Sequence, residues 1–258
     1  MNSELGGVLF KKIFHKCFYY NRIFSHLFIY LSIYITLWKI FKSYQIENIK
    51  IFRFKKWHHG FLYLTAFHKD KKLFIKIDTN YLLIENEENF YQLFTKELND
   101  HLIPLNFCYY SDRFQLMVTD FLECKELTVN DLNEENLNTI LSILNVIAFK
   151  KIVHRDINLN NFILYKNTIK IIDFSFSIDL DGSIFKELNL SSIDNIKTLK
   201  GLNEGFKPGI YTWNDFYSMY KIIHDNKLTL DSNIFEIYLE KFKKRLPSVS
   251  YKVEKINA

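Results

Sequence analysis

Cysteine is scarce. Cys17, Cys108 and Cys124 stand far apart in 258 residues, with no CxxC pair and no metal-ligand spacing. That argues against a disulfide scaffold and a zinc site, and it fits a reducing cytosol. Glycine and proline are few as well, at seven and three. No repeat and no low-complexity linker divides the chain, so its length allows one compact unit or two lobes sharing a cleft. A long apolar run is also missing. The best is Ile23–Trp38, sixteen residues without Asp, Glu, Lys or Arg, where a spanning helix needs about 20. Ser25, His26, Ser32 and Thr36 weaken it further. What the chain does have is apolar surface: 48 % hydrophobic and 17 % aromatic residues, enough for a substantial core and unlike a disordered protein. The net charge of +5 is a mild basic excess that suits an anionic partner, and no nucleic acid is expected from it.

The N-terminal stretch differs from the rest. Lys11, Lys12, Lys16 and Arg22 precede the apolar run, and Lys39, Lys42, Lys50 and Arg53 follow it. A spanning helix favours one basic flank, whereas two suit a helix lying in the interface against anionic lipid. The run starts late and no small-residue cleavage site follows, unlike a signal peptide. Three readings stand here: a helix packed on the following domain, an interfacial anchor, and a spanning segment.

From about Ile49 the pattern becomes strand-like. IKIFRF, FLYLTAF and LFIKID read as three antiparallel strands, the last two joined at the polar HKDKK turn. Residues 85–98 read as a helix with Phe90, Tyr91, Phe94 and Leu98 apolar. Two more strands surround a turn at Ser111 and Asp112. Leu132–Lys150 looks helical, FILY and IKIID form a hairpin around Lys166 and Asn167, and the remainder looks mostly helical.

The densest cluster of chemistry lies in Ile152–Asp173, IVHRDINLNNFILYKNTIKIID. It holds His154-Arg155-Asp156, then Asn161 five residues after the Asp, then an apolar hairpin ending in Asp173-Phe174. This resembles the catalytic loop and metal-binding segment of the protein-kinase superfamily. The resemblance implies an α+β, two-lobed protein-kinase-like fold, divided as an N-terminal helical segment 1–45, an N-lobe 46–120 and a C-lobe 121–258. It implies Asp156 as the carboxylate that takes the acceptor proton, and Asn161 and Asp173 as hard oxygen ligands for Mg²⁺. Lys76, mid-strand in LFIKID, resembles the lysine that pairs with the phosphates of ATP; an inward lysine there is costly without an anionic partner. The helix glutamate that partners such a lysine has three candidates, Glu85, Glu87 and Glu88. Glu87 shares a face with Phe90, Tyr91 and Phe94 and is the one chosen. LMVTDFLECKEL resembles the interlobe hinge. That implies Thr119 at the mouth of an adenine pocket, backbone groups of Asp120 and Leu122 on adenine, and Glu126 toward the ribose. TWNDFYSMYKII resembles the start of a large second-lobe helix, whose Asp215 would accept hydrogen bonds from the catalytic loop.

The pattern also departs from that family. The phosphate-covering turn, Lys55-Lys56-Trp57-His58-His59-Gly60, has one glycine where GxGxxG is usual. Asp173-Phe174-Ser175 replaces Asp-Phe-Gly, Asn158 stands where kinases of Ser/Thr carry lysine, and GFKPGIYTW replaces Ala-Pro-Glu. Only about 140 residues follow the hinge, short for a protein-substrate platform. The compact build and the HRDxNxxN loop resemble bacterial lipopolysaccharide core kinases, which act on heptose or Kdo sugars. That resemblance, over about Ile49–Asp225, implies ATP-dependent phosphorylation of a sugar hydroxyl on a glycolipid. It also implies a cytoplasmic location with peripheral association at the inner face of the membrane. A Ser/Thr protein kinase and a non-catalytic pseudokinase are the rival readings.

Overall fold

The computed structural model describes residues 28–53, 61–181, 199–227, 232–247 and 250–252. The chain is a mixed α+β protein with an antiparallel sheet, and it divides into two compact units. One takes Met1–Ile84 and Leu105–Phe121, the other Glu85–Pro104 and Leu122–Ala258. The sequence expects a single passage between lobes after residue 120. The units change over at Phe121/Leu122 and, in addition, residues 85–104 belong with the second unit.

The first unit is a five-stranded antiparallel sheet. Its strands are β1 (Ile46–Ile51), β2 (Phe61–His68), β3 (Lys71–Asp78), β4 (Leu105–Tyr110) and β5 (Gln115–Asp120), in the order β1-β2-β3-β5-β4. Alternation gives the sheet two faces. Leu62, Leu64 and Ala66 of β2, Leu73, Ile75 and Ile77 of β3, and Leu116 and Val118 of β5 point one way. A helix, α1 (residues 28–43), covers that face with Ile33, Leu37, Ile40 and Phe41. The intervening residues of β3, Phe74 and Lys76, take the opposite face. β2 and β3 are joined by the two-residue turn Lys69-Asp70, with Lys69 left-handed at φ 54°. Of the three readings of the N-terminal run, the packed helix holds for residues 28–43; residues 1–27 lie outside the described residues. Among the described residues no helix is long and apolar enough to cross a membrane.

The second unit is built on helices α2 (Ile84–Phe94), α3 (Glu134–Phe149), α4 (Asp215–Asp225) and α5 (Ser232–Lys243). α3 starts at Asn133, whose side chain accepts from the Asn136 N–H, and it buries Leu137, Ile140, Ile143, Leu144 and Ile147 along one stripe. Asn214 caps α4 in the same way, accepting from the Tyr217 N–H at 2.9 Å. Between them run short strands: β6 (Lys125–Glu126), β7 (Ile152–Val153), β8 (Phe162–Tyr165), β9 (Thr168–Ile171), β10 (Ile178–Asp179) and β11 (Thr212–Trp213); β12 (Tyr251–Lys252) follows α5. The β8–β9 hairpin closes through Lys166 and Asn167, both left-handed at φ 47° and 64°. That geometry matches the right-handed strand twist, and Asn tolerates it.

Two ladders position the loops of this unit that carry Asp156 and Asp173. Phe162 pairs with Ile171 at the open end of the β8–β9 hairpin, and Val153 pairs with Ile178 in β7–β10. The loop 154–161 and the loop 172–177 are therefore clamped together at both ends.

Candidate active site

Within the clamp, Asp156 is held from two sides. Asn161 Nδ2 donates to the Asp156 carbonyl at 2.8 Å and to its carboxylate Oδ2 at 2.9 Å. Asn158 Nδ2 donates to the same carbonyl at 3.0 Å and to Oδ1 at 3.2 Å. The carboxylate orientation is thus set by two amides from one 3-10 turn, Leu159–Asn161, and its N-cap. Asn161 is buried. Its amide nitrogen is spent on Asp156, which leaves its side-chain oxygen as the atom able to meet a cation.

Asp173 reaches the same neighbourhood through the hairpin. The Ile172 N–H donates to the Asn161 carbonyl at 3.0 Å, so Asp173 follows directly after the residue bonded to Asn161. Asp173 is left-handed, at φ 66° and ψ 58°, and Arg155 is too, at φ 67°. A side chain in that region is uncommon; Arg155 lies in one of these two loops and Asp173 in the other. An amide oxygen and a carboxylate form a hard-oxygen donor set that fits Mg²⁺, which keeps most of its other positions for water or phosphate. Among the described residues no group of three or more His, Cys, Asp or Glu forms a metal cage.

The loop backbone is anchored from α4. Asp215 is buried, and its carboxylate accepts the His154 N–H at 2.7 Å and the Arg155 N–H at 3.2 Å. The sequence expects this role for Asp215, and the distances meet it. Burial pushes the Asp215 carboxyl up to about 7, against the downward pull of those two N–H groups and of the Arg155 guanidinium. The His154 ring links the loops: its Nδ1 lies 3.4 Å from the Asp156 N–H and its Nε2 lies 3.1 Å from the Ile172 carbonyl. A donor on one side and an acceptor on the other select the tautomer with hydrogen on Nε2. Arg155 is buried, with Nε donating to the Phe176 carbonyl and its guanidinium 5.6 Å from both the Trp213 and the Tyr251 ring. Burial lowers it to about 10.

Helix α2 grips the other loop. Phe174 is wholly buried among Tyr91, Phe94, Phe90 and His154, at ring-centroid distances of 5.7, 5.6, 6.4 and 4.8 Å. Glu87 is 1 % exposed and accepts from Ser175 Oγ at 2.7 Å. The serine that replaces glycine after Asp173-Phe174 thus has a partner for its hydroxyl. Asn86 Nδ2 donates to the Ser175 and Ser177 carbonyls at 2.8 and 3.1 Å. Sequence reasoning missed Asn86, because its partners lie 89 and 91 residues away and nothing local marks it. Glu126 is half-buried in β6, opposite Ile163 of β8.

In the first unit, Lys76 sits between Tyr63 and Met117 in the ladder, on the sheet face away from α1. It is 5 % exposed, with its Nζ 4.9 Å from the centre of the Phe61 ring. Met117 and Thr119 of β5 share that face by alternation. Thr119 is buried, and its hydroxyl has no hydrogen-bond partner among the described residues. The Asp120 side chain is tied to Lys71 at 2.6 Å and accepts from Asn106 Nδ2 at 2.9 Å, so only its backbone is left for the adenine role. The Phe121 N–H donates to the Lys72 carbonyl at 3.0 Å. In an antiparallel ladder the preceding residue then turns its backbone groups away from β3. In the second unit the Leu122 carbonyl accepts from the Cys124 N–H at 2.9 Å. The turn Lys55–Gly60 lies outside the described residues.

Compared with known proteins, the chain matches no family model, and no curated protein matches it.

Proposed function

We propose that the chain is a protein-kinase-like phosphotransferase, two-lobed in fold, that moves the γ-phosphoryl group of ATP to a sugar hydroxyl of a lipopolysaccharide core or related glycolipid. The observation that carries this reading is the double tether of Asp156. A carboxylate whose two oxygens meet Asn158 and Asn161, on a backbone fixed by Asp215, is preorganised to take one proton at one place. Asp156 accepts the hydroxyl hydrogen as the acceptor oxygen attacks in line. Asn161, through its side-chain oxygen, and Asp173, through its carboxylate, are the residues to hold Mg²⁺. When bound, that ion neutralises charge on the phosphates. Lys76 takes the nucleotide phosphates, with Glu87 as the glutamate of the lysine pair. Backbone groups of Asp120 and Leu122 meet adenine, and Glu126 the ribose.

The acceptor class rests on the sequence: Asn158 in the place of a lysine, and no Ala-Pro-Glu. With a glycolipid acceptor goes peripheral attachment to the inner face of the cytoplasmic membrane, which belongs to the same proposal. The test incubates purified protein with labelled ATP and Mg²⁺, and with either extracted lipopolysaccharide or generic protein substrates. Label on the glycolipid is expected. Label on protein alone overturns the acceptor, and a pseudokinase transfers none. Asp156→Asn is expected to lower turnover by about 10² or more while nucleotide binding persists; an equally active variant removes Asp156 from its role.

A further inference from the structure

Helix α1 has two apolar faces, and the sheet covers only one. Ile33, Leu37, Ile40 and Phe41 are buried against β2, β3 and β5. On the opposite side Phe28, Leu31, Ile35 and Trp38 follow at spacings of three, four and three, beside Tyr34. They are 74 %, 59 %, 69 %, 51 % and, for Tyr34, 49 % exposed. An ordinary surface helix turns charge outward on that side. Here the outward charges are Lys39 and Lys42, with Lys42 Nζ 5.2 Å from the Trp38 ring. From Leu5 to Ile46 the chain carries six basic residues and no acidic one, so the rest has 28 bases against 29 acids. The whole positive excess of the protein therefore belongs to the segment that contains this stripe.

We infer that the outward face of α1 is a membrane-docking surface, lying in the plane of an anionic bilayer with Phe28, Leu31, Tyr34, Ile35 and Trp38 in the headgroup–acyl boundary. This deepens the peripheral attachment proposed above and rests on that reading. Three observations select this occupant. The stripe is largely aromatic, the type of side chain that favours an interface with one apolar and one wet side. Lys39 and Lys42 flank it on stems long enough to reach lipid phosphates while their methylenes cover apolar surface. A second copy of the chain is a poor occupant, because an isologous contact would bring two acid-free, basic segments together. The helix lies flat because Leu37 and Phe41, 1 % and 3 % exposed, are committed to the sheet and cannot leave it without opening that core.

The test is co-sedimentation of the full chain with phosphatidylcholine vesicles, with and without phosphatidylglycerol. Binding is expected with the anionic vesicles and should weaken as salt rises. The variant Leu31→Ser/Ile35→Ser/Trp38→Ser is expected to lose at least about tenfold in vesicle affinity with an unchanged thermal melt, since these side chains are exposed. Lys39→Gln/Lys42→Gln is expected to lose about fivefold per lysine and to flatten the salt dependence. Unaltered binding by both folded variants overturns the inference, as does equal binding to neutral vesicles. Self-association in vesicle-free buffer that disappears in the serine variant also overturns it, in favour of a protein partner. Phosphate transfer by the unaltered chain is assayed separately in solution. Failure of vesicle binding with transfer intact removes the docking face alone, and the reverse removes the enzymatic reading alone.

Discussion

Asp215 shows how one side chain can be asked to do two opposed things. Its two oxygens accept backbone N–H groups of His154 and Arg155, which favours the ionised form, yet burial outweighs them and raises it to about 7. The unfolded chain ionises this carboxyl near 3.8, so between 3.8 and about 7 the folded state holds a proton that the unfolded state has lost. Its contribution to stability is complete at acid pH and falls as pH rises through that window. Asp215→Asn removes the titration, and one backbone N–H loses an oxygen partner. The destabilisation it causes, measured by urea unfolding, is expected to shrink between pH 4.5 and pH 7, within the window between 3.8 and about 7; growth over that range would mean the carboxylate is ionised throughout. Ser175 poses a simpler case. Its hydroxyl donates to the buried Glu87 carboxylate, so Ser175→Ala should cost about 1.5–3 kcal/mol, the range for a hydrogen bond to a charged group. Ser175→Gly should cost at least as much, since it too deletes the hydroxyl. Paired melts of the two variants and the unaltered chain decide it.

Elements were legible where burial follows a simple period. The alternation in FLYLTAF and LFIKID marks β2 and β3, and the same alternation puts Lys76 on the face opposite Ile75 and Ile77. The sequence places Glu87 inward, because Phe90, Tyr91 and Phe94 lie three, four and seven residues on, and it is buried with Phe90 and Phe94. The turn at Lys166 and Asn167 and the span of α3 were equally readable. What the sequence withheld are bonds over long separations. Asn86 to Ser175 and Ser177, and the Arg155 guanidinium between Trp213 and Tyr251, join residues with no local pattern in common. The N-terminal run was ambiguous for a different reason: apolar residues circle most of α1, so periodicity named no single inward face. Once the sheet is known, Leu37 stands out as the most buried of the α1 residues packed on it, 1 % exposed. Leu37→Ala is expected to destabilise the first unit by about 2–5 kcal/mol, read as a lowered urea midpoint. Leu31→Ala, on the outward face, should leave the midpoint within about 0.5 kcal/mol.

At the scale of the molecule, chain order and compact units do not coincide. Residues 85–104 are threaded between two strands of the first unit, yet their partners are in the second. α2 supplies three of the aromatic rings around Phe174 and two polar groups on the Ser175–Ser177 backbone and side chains. Just beyond it, His101 Nδ1 lies 2.8 Å from the Ile169 carbonyl, and Lys170 Nζ, on a buried lysine, donates to the Asp100 and Leu102 carbonyls at 3.0 Å each. A fragment starting at Leu122 keeps every residue of the Asp156 loop and its Asp215 anchor but loses all of these. Phe174 is left with His154 alone among its ring partners, and the ammonium of Lys170 loses both of its carbonyl acceptors. The fragment Leu122–Ala258 is therefore expected to show no cooperative thermal transition by circular dichroism. The same fragment with Glu85–Pro104 fused ahead of it through a flexible linker should regain one. A cooperative melt of the unfused fragment would show that the two loops order themselves without α2. That would remove Glu87 and Asn86 from the set of residues needed to order the Ser175–Ser177 backbone.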